Sequence, residues 1–309
     1  MNSSSTKLIP QVKISIGLPV YNEEKFIQKC IESWLAQTFT DFELIISDNA
    51  STDNTSKICE EYAKRNKKIR YIRQEKKIEW ILNFNFVLKE AKNDYFVWAG
   101  ADDFVLPDFL KKNIEVLVSN NDMVGSISKI SRYGLEDRFY SDSINYKFGN
   151  FVKNLRLRFR KREVCSISGT YEKKVRTYLK KSTCQILYGV FRTDKLRKSI
   201  LSNSFVGVDW AEALNVLRYG NFHVIDEVLR YEFEGGRSAR GIIHISRNYN
   251  PNYLSVIFPW HPFIFWCVKN LGVKIFLKNL DFFIKLNFEG VVSQVIDIIR
   301  LFTNKLFGK

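Results

Sequence analysis

Histidine is scarce in this chain. His223, His244 and His261 are the only three in 309 residues, and they lie too far apart in sequence to form a local metal motif. The five cysteines, Cys30, Cys59, Cys165, Cys184 and Cys267, are odd in number and include no Cys-x-x-Cys pair. That excludes a zinc-type spacing and gives no disulfide framework. The thiols read instead as small buried hydrophobes in a reducing compartment. No stretch of about 18 or more uninterrupted apolar residues exists, so a standard transmembrane helix is not expected. Residues 1–10 are polar and lack the apolar core of a secretory signal, which leads to the expectation of a cytoplasmic protein. There is no internal repeat and no low-complexity segment.

What is present is an ordinary globular balance, 45% hydrophobic and 26% charged, which argues against wholesale disorder. The length suits one large α/β domain with an extension, or two modest domains. Aromatics reach 15%, with 25 Phe, part of that excess lying near the C-terminus. The net charge is +15 and is unevenly spread: residues 151–181 hold eleven Lys or Arg against two Glu. A basic face of this kind attracts phosphates, whether in nucleic acid, anionic lipid or a charged substrate.

The first 110 residues alternate between two periodicities. Residues 12–18 (VKISIGL), 42–47 (FELIIS), 69–73 and 95–98 (YFVW) predict strands. Residues 23–37, 52–66 and 80–91 place apolar side chains at helical spacing, and Ser51-Thr52-Asp53 supplies N-cap residue types to the second of these helices. Such alternation implies βαβ units and a parallel sheet. Ligands of open α/β sheets bind at the carboxyl ends of the strands. The segments to inspect are therefore Pro19-Val20-Tyr21-Asn22-Glu23, Asp48-Asn49-Ala50-Ser51 and Gly100-Ala101-Asp102-Asp103.

Farther on, the pattern predicts helices over 108–118 and 209–217, strands over 123–130 and 185–191, and a strand or hairpin over 222–233. The basic stretch 151–181 reads as helical with a break at Gly169. In the tail, residues 253–268 are apolar and aromatic but interrupted by Pro259 and Pro262. Phe276, Leu280, Phe283, Ile284 and Phe288 then alternate with Lys274, Lys278 and Lys285, as in an amphipathic interfacial helix.

Two adjacent carboxylates at a strand end, Asp102 and Asp103, are hard oxygen ligands suited to Mg²⁺ or Mn²⁺. Taken alone such a pair is more often just two solvated Asp residues, here ahead of a helix with Pro107 at its first position. Asp48 can accept a hydrogen bond from a base or ribose, or serve turn chemistry. Asp209 can act as a base or cap the helix that follows it.

The three strand-end segments together resemble the inverting family 2 glycosyltransferases of GT-A fold. The resemblance is carried by ISIGLPVYNEEKFIQKCIESWLAQTF (14–39), FELIISDNASTDNTSKICEEYA (42–63) and NDYFVWAGADDFVLPDFL (93–110). It continues more weakly through 187–199 and 208–238. It implies a Rossmann-like, mostly parallel sheet with flanking helices, plus a C-terminal helical extension capable of membrane association. The implied division is a flexible N-terminus over 1–11 and a GT-A domain over 12–240. That domain splits into a nucleotide-sugar half (12–110) and an acceptor half (111–240), followed by the extension at 241–309.

By position, the resemblance implies that Pro19, Val20, Tyr21 and Glu23 wrap the nucleotide and that Asp48 contacts the base. It makes Asp102 and Asp103 metal-binding carboxylates, Asp102 also touching the donor, and Asp209 the general base. Asn83 and Asn85 fall where relatives face the donor. Arg237 and Arg240, in EGGRSARG, are candidates for a diphosphate lid or for a solvated loop. Two departures stand out: Gly100 replaces an expected Asp, and Val208 replaces the acid expected before Asp209. A lost acidic neighbour should leave the Asp209 pKa less raised than in the intact pair.

The implied activity is inverting transfer of a sugar from a nucleotide-diphosphate donor, a UDP-sugar, to a hydroxyl of a glycan or lipid-linked acceptor, in bacterial surface polysaccharide synthesis. The alternative is a degenerate GT-A module that binds nucleotide-sugar without turnover. Arg156, Arg158, Arg160, Lys161 and Arg162 come with no zinc finger or RNP motif, so nucleic acid is not an expected partner. With the amphipathic tail they point to an anionic membrane surface, reached from the inner face of the cytoplasmic membrane.

Overall fold

The computed structural model describes residues 12–134, 162–234 and 258–306. The expected alternation is there: β1 (Ile14–Val20), α1 (Ile27–Leu35), β2 (Phe42–Asp48), α2 (Thr55–Arg65), β3 (Ile69–Arg73), α3 (Trp80–Glu90) and β4 (Tyr95–Trp98). α2 starts three residues later than its N-cap residue types imply, and the Asp53 carboxylate accepts the Thr55 N–H at 3.0 Å. A short β5 (Phe104–Val105) and α4 (Phe109–Ser119) follow, then β6 (Met123–Tyr133).

Beyond residue 162 come α5 (Tyr171–Lys181), a 3₁₀ turn (Cys184–Tyr188), β7 (Val190–Arg192), α6 (Thr193–Arg197), α7 (Val208–Val216) and β8 (Asn221–Phe233). Two expectations are corrected here. The predicted strand over 185–191 is a 3₁₀ turn followed by a three-residue strand. The basic stretch is helical only from Tyr171 among its described residues; its part before Arg162, with Arg156, Arg158, Arg160 and Lys161, lies outside them. The strand-or-hairpin at 222–233 is one long strand.

The eight strands form one sheet in the order β3-β2-β1-β4-β7-β6-β8-β5. β1 to β4 are mutually parallel, β6 and β8 share their direction, and β5 and β7 run against them. The sheet is thus mostly parallel, with helices covering β1 and β2 so that β1 is buried at every position. Gly17 sits where α3 and β4 press on β1: a Cβ there would lie 2.5 Å from the Phe96 ring and 2.7 Å from Val87.

α8 (His261–Leu271), α9 (Val273–Lys278) and α10 (Leu280–Leu306) close the chain. Their inner faces belong to the same hydrophobic core as the sheet, through Phe263, Cys267, Leu271, Phe282, Phe283 and Leu286. Trp210 of α7 is the hub, with ring centroids 5.5 Å from Trp260, 5.8 Å from Phe263 and 6.0 Å from Phe282. No helix among the described residues is long and apolar enough to cross a membrane.

Candidate active site

Strand order reverses between β1 and β4, which makes their carboxyl ends the switch point, the place where open α/β sheets bind their ligands in a crevice. The β1–β4 ladder stops at Gly17 and Trp98, whereas β1 stays paired to β2 as far as Val20 and Asp48. Pro19 and Val20 are buried in this last part of β1, so they contribute backbone and shape to the crevice floor.

One wall is built by lacing the loops after β1 and β2. The Asn22 N–H donates to Ser51 Oγ at 3.0 Å, Thr52 N–H to Asn22 Oδ1 at 2.8 Å, and Glu23 N–H to Thr55 Oγ1 at 2.8 Å. Asn22 takes φ +54°, a left-handed conformation that Asn tolerates better than most residues. Glu23 lines a recess of about 230 Å³ with Asn22, Phe26 and Asp53. The ring of Tyr21 lies under the Lys77 ammonium, 4.2 Å from Nζ to the centroid.

Asp48 ends β2 fully buried, and its carboxylate is saturated by the protein. Oδ1 accepts the Ser51 N–H at 2.9 Å; Oδ2 accepts Ser56 Oγ at 2.6 Å, Tyr71 Oη at 2.9 Å and Arg73 Nη1 at 2.7 Å. Burial alone would raise its pKa, but the donors from Ser51 and Ser56 more than offset that and hold it below the ordinary range. Asp48 therefore organises the wall, while Arg73 and Tyr71, which the sequence reading did not single out, carry that organisation outward. Arg73 also bonds Ser56 and donates to the Ser51 carbonyl at 2.8 Å.

Asn83 and Asn85 are engaged elsewhere in this arrangement. Asn83 is 3% exposed and ties α3 to β2, accepting from Ser47 Oγ at 2.6 Å and donating to the Ser47 carbonyl at 3.0 Å. Asn85 donates to the Leu201 carbonyl at 2.8 Å, anchoring the loop that leads to α7.

The opposite wall holds the carboxylates, and the two behave differently. Asp102 is partly buried, and its carboxylate accepts no hydrogen bond from another described residue. Burial, then the charge of Asp103, pushes its pKa up to about 6. Its carbonyl accepts Tyr133 Oη at 2.5 Å. Asp103 turns back into the protein: Oδ2 accepts Arg230 Nη2 at 2.6 Å and Oδ1 accepts the Phe233 N–H at 3.1 Å. Arg230 is fully buried, its guanidinium 4.6 Å above the Tyr188 ring and its Nε 3.5 Å from Glu232. Gly100 makes the room for this turn, because a Cβ there would lie 2.4 Å from Asp103 Oδ2. The missing acid at position 100 is thus matched by a carboxylate leaning into its space.

Asp209 is the second residue of α7, and Gly207 occupies the cap position, so the capping alternative does not describe it. Its Oδ1 accepts the Trp210 N–H at 3.0 Å, and its carboxylate also meets the Cys184 thiol. Burial raises its pKa despite these bonds and despite Val208. The 3₁₀ turn joins Asp209 to the carboxylate wall. Cys184 meets Asp209, Gln185 Nε2 donates to Glu232 at 2.7 Å, and Tyr188 underlies Arg230. A strand at 185–191 would have separated these contacts.

Arg162 is only partly exposed. Its guanidinium lies 4.7 Å from the Trp210 ring, next to Asp209 in sequence, and it pairs with Glu289 at 3.8 Å. Arg237 and Arg240 lie outside the described residues. Among the described residues no group of three or more His, Cys, Asp or Glu side chains is placed to hold a metal ion. Among the described residues Asp102 fits a divalent cation: a partly buried carboxylate in no ion pair with another described residue, whose ionised form such an ion would stabilise.

The mostly parallel sheet with flanking helices places the chain in the GT-A class of α/β proteins, and solved structures share this fold. The mannosyltransferase PcManGT from Pyrobaculum calidifontis, determined with GDP-Man and Mn²⁺, superposes with a TM-score of 0.56 at 14% identity, covering 96% of this chain and 76% of its own. TarS 1-349 of S. aureus gives 0.54 at 17% identity, covering 89% and 81%; in complex with UDP-GlcNAc it gives 0.52 at 21%, covering 72% and 58%. The chain belongs to glycosyl transferase family 2, matched over residues 15–178. Curated relatives include a dolichyl N-acetyl-alpha-D-glucosaminyl phosphate 3-beta-D-2,3-diacetamido-2,3-dideoxy-beta-D-glucuronosyltransferase of Methanococcus voltae, 39% identical over 33% of this chain and 33% of its own. The chondroitin synthase of Escherichia coli is 36% identical over 35% of this chain and 15% of its own. The chain thus matches only a third or less of the length of these two relatives.

Proposed function

We propose that the protein transfers a sugar from a nucleotide-diphosphate donor, a UDP-sugar, to a hydroxyl of a glycan or lipid-linked acceptor, with inversion at the anomeric carbon. The observation that carries this reading is the 3₁₀ turn at Cys184–Tyr188, which connects a carboxylate of raised pKa, Asp209, to the wall that presents Asp102. The ligands of the structural neighbours, UDP-GlcNAc and GDP-Man with Mn²⁺, support the donor class.

In this reading the laced loops of Tyr21–Glu23 and Asp48–Ser51 shape the nucleotide subsite, with Tyr71 and Arg73 held in place by Asp48. Asp102 would hold Mg²⁺ or Mn²⁺, an ion that supplies positive charge against the leaving diphosphate. Asp209 takes the proton from the acceptor hydroxyl, a step for which a raised pKa is an advantage. Bonds from Trp210 N–H and Cys184 hold its carboxylate in one orientation, and holding donor and acceptor in line supplies much of the remaining rate. Purified protein incubated with a panel of nucleotide-sugars, with and without Mn²⁺, tests the reading. Slow hydrolysis or transfer is expected, and saturable nucleotide binding without any turnover would favour the binding-module alternative.

The tail supports placement on an anionic membrane surface. Along α10, Leu280, Ile284, Phe288, Val291, Val295 and Ile298 form an exposed stripe at helical spacing, while Phe282, Phe283 and Leu286 face the core. Lys269, Lys274, Lys278 and Lys285 are exposed beside it. An apolar stripe with flanking cations suits the interface of an anionic bilayer. Flotation with phosphatidylglycerol vesicles checks this. Binding should fall in Ile284→Glu/Phe288→Glu, and binding that ignores both the substitution and lipid charge would contradict it.

A further inference from the structure

Asp102 and Asp103 are adjacent in sequence, yet only the Asp103 carboxylate is tied back into the protein. Both oxygens of Asp103 accept strong hydrogen bonds, from Arg230 Nη2 at 2.6 Å and Phe233 N–H at 3.1 Å. Three further observations show that this posture is built in. Gly100 leaves the space that the Asp103 carboxylate fills, at 2.4 Å from where a Cβ would be. Arg230 is fully buried and cannot follow Asp103 outward, being held by Tyr188 on its face and Glu232 at its edge. The ladder pairs Val105 with Arg230 and Phe104 with Tyr231, which fixes β8 against the residues that follow Asp103.

From this we infer that Arg230 is a positioning residue: it withholds Asp103 from a divalent cation, so that of the two adjacent carboxylates only Asp102 is offered to the metal, and the cation is retained only together with a nucleoside diphosphate. This rests on the nucleotide-diphosphate reading of the crevice. A single carboxylate leaves most of an octahedral shell to water, and Mg²⁺-like ions in such sites complete their coordination with substrate phosphates. With Asp103 released, two adjacent carboxylates would face the cation and the diphosphate would no longer be required to retain it.

Mn²⁺ binding followed by electron paramagnetic resonance, in the presence and absence of UDP, tests the inference with a readout independent of turnover. The wild type should retain Mn²⁺ only when UDP is present. Asp102→Asn should lose that UDP-dependent binding by about tenfold or more, whereas Asp103→Asn should hold it within about threefold. Arg230→Met, which frees Asp103, should gain Mn²⁺ binding in the absence of UDP, a change that a merely structural role for Arg230 would not produce. Should Arg230→Met fail to fold, Gly100→Ala, which pushes Asp103 off Arg230, should show the same gain, read beside the contrast between Asp102→Asn and Asp103→Asn. Equal losses in those two variants, or strong Mn²⁺ binding by the wild type without UDP, would overturn the inference while leaving the functional reading intact. Failure of calorimetry to detect UDP at any Mn²⁺ concentration would overturn both.

Discussion

Replacing Gly100 by Ala adds one methyl group at a point where the Asp103 carboxylate stands 2.4 Å away. The contact is far inside van der Waals distance, and the atom met is the end of a side chain, so Asp103 must swing aside. It cannot do so without lengthening its 2.6 Å bond to Arg230, which is fully buried. Removing one partner of a buried ion pair costs about 3–5 kcal/mol. Here Asp103 is displaced and not deleted, and Glu232 remains 3.5 Å from Arg230, so about half that cost applies. Loss of glycine's chain freedom in the unfolded state returns about 0.4–1 kcal/mol. The net expectation is a destabilisation of about 1–2 kcal/mol, read as a lower urea midpoint at unchanged m-value. Gly100→Asp, which puts back the acid that the sequence resemblance implies there, should be worse than Ala because it adds a second carboxylate beside Asp103. In an Asp103→Ala background the cost of Gly100→Ala should disappear, since there is no carboxylate left to displace. A Gly100→Ala protein as stable as the wild type, or a cost that survives in the Asp103→Ala background, would refute the packing argument.

Other expectations follow from the same geometry. Glu212 is buried with its pKa raised to about 8, chiefly by desolvation, and its Oε1 accepts the Leu201 N–H at 2.9 Å. Its raised folded-state pKa contributes stability that is complete below the unfolded value and is lost as pH rises through about 8. Glu212→Gln should therefore flatten the decline in urea midpoint between pH 5 and 8.5, by up to a few kcal/mol, and an unchanged slope would contradict the assignment. Asp48→Ala should orphan the Ser51 N–H and the hydroxyls of Ser56 and Tyr71, costing about 3 kcal/mol and weakening UDP binding; calorimetry and denaturation measure the two effects separately. If Asp209 is the base, turnover should fall on the acid side with an inflection above 3.8, because burial raises its pKa. An inflection at or below that value would count against it.

The half of the fold built on local periodicity was legible in the sequence. β3 and β4 lie where the apolar runs end, and α3 differs from its pattern by one residue. The 3₁₀ turn was not, because QILYGVF has the composition of a strand and what bends it is tertiary: Gln185 reaches Glu232 and Cys184 reaches Asp209. Arg230 was invisible for a related reason. Its partner Asp103 is 127 positions upstream, and no spacing rule connects them. Arg162 was read with its basic neighbours, yet it stacks on Trp210, a contact set by where α7 and α10 meet. Arg73 offered the clearest missed signal, since it stands at the carboxyl end of β3 beside Asp48, to which it is register-paired. The site-bearing strand ends were readable because βαβ order alone brings them to one edge of the sheet.

The central claim is that Asp209 removes the proton from the acceptor while the crevice holds a nucleotide-sugar. It is tested most directly by transfer or hydrolysis of the nucleotide-sugar the wild type accepts, measured for Asp209→Asn alongside nucleotide affinity. Asn keeps the size and one acceptor oxygen for the Trp210 N–H but cannot take a proton at neutral pH. The account predicts that turnover falls by about 10²–10⁴-fold while UDP affinity stays within a few-fold of the wild type. Turnover unchanged in Asp209→Asn, at unchanged UDP affinity, would contradict it.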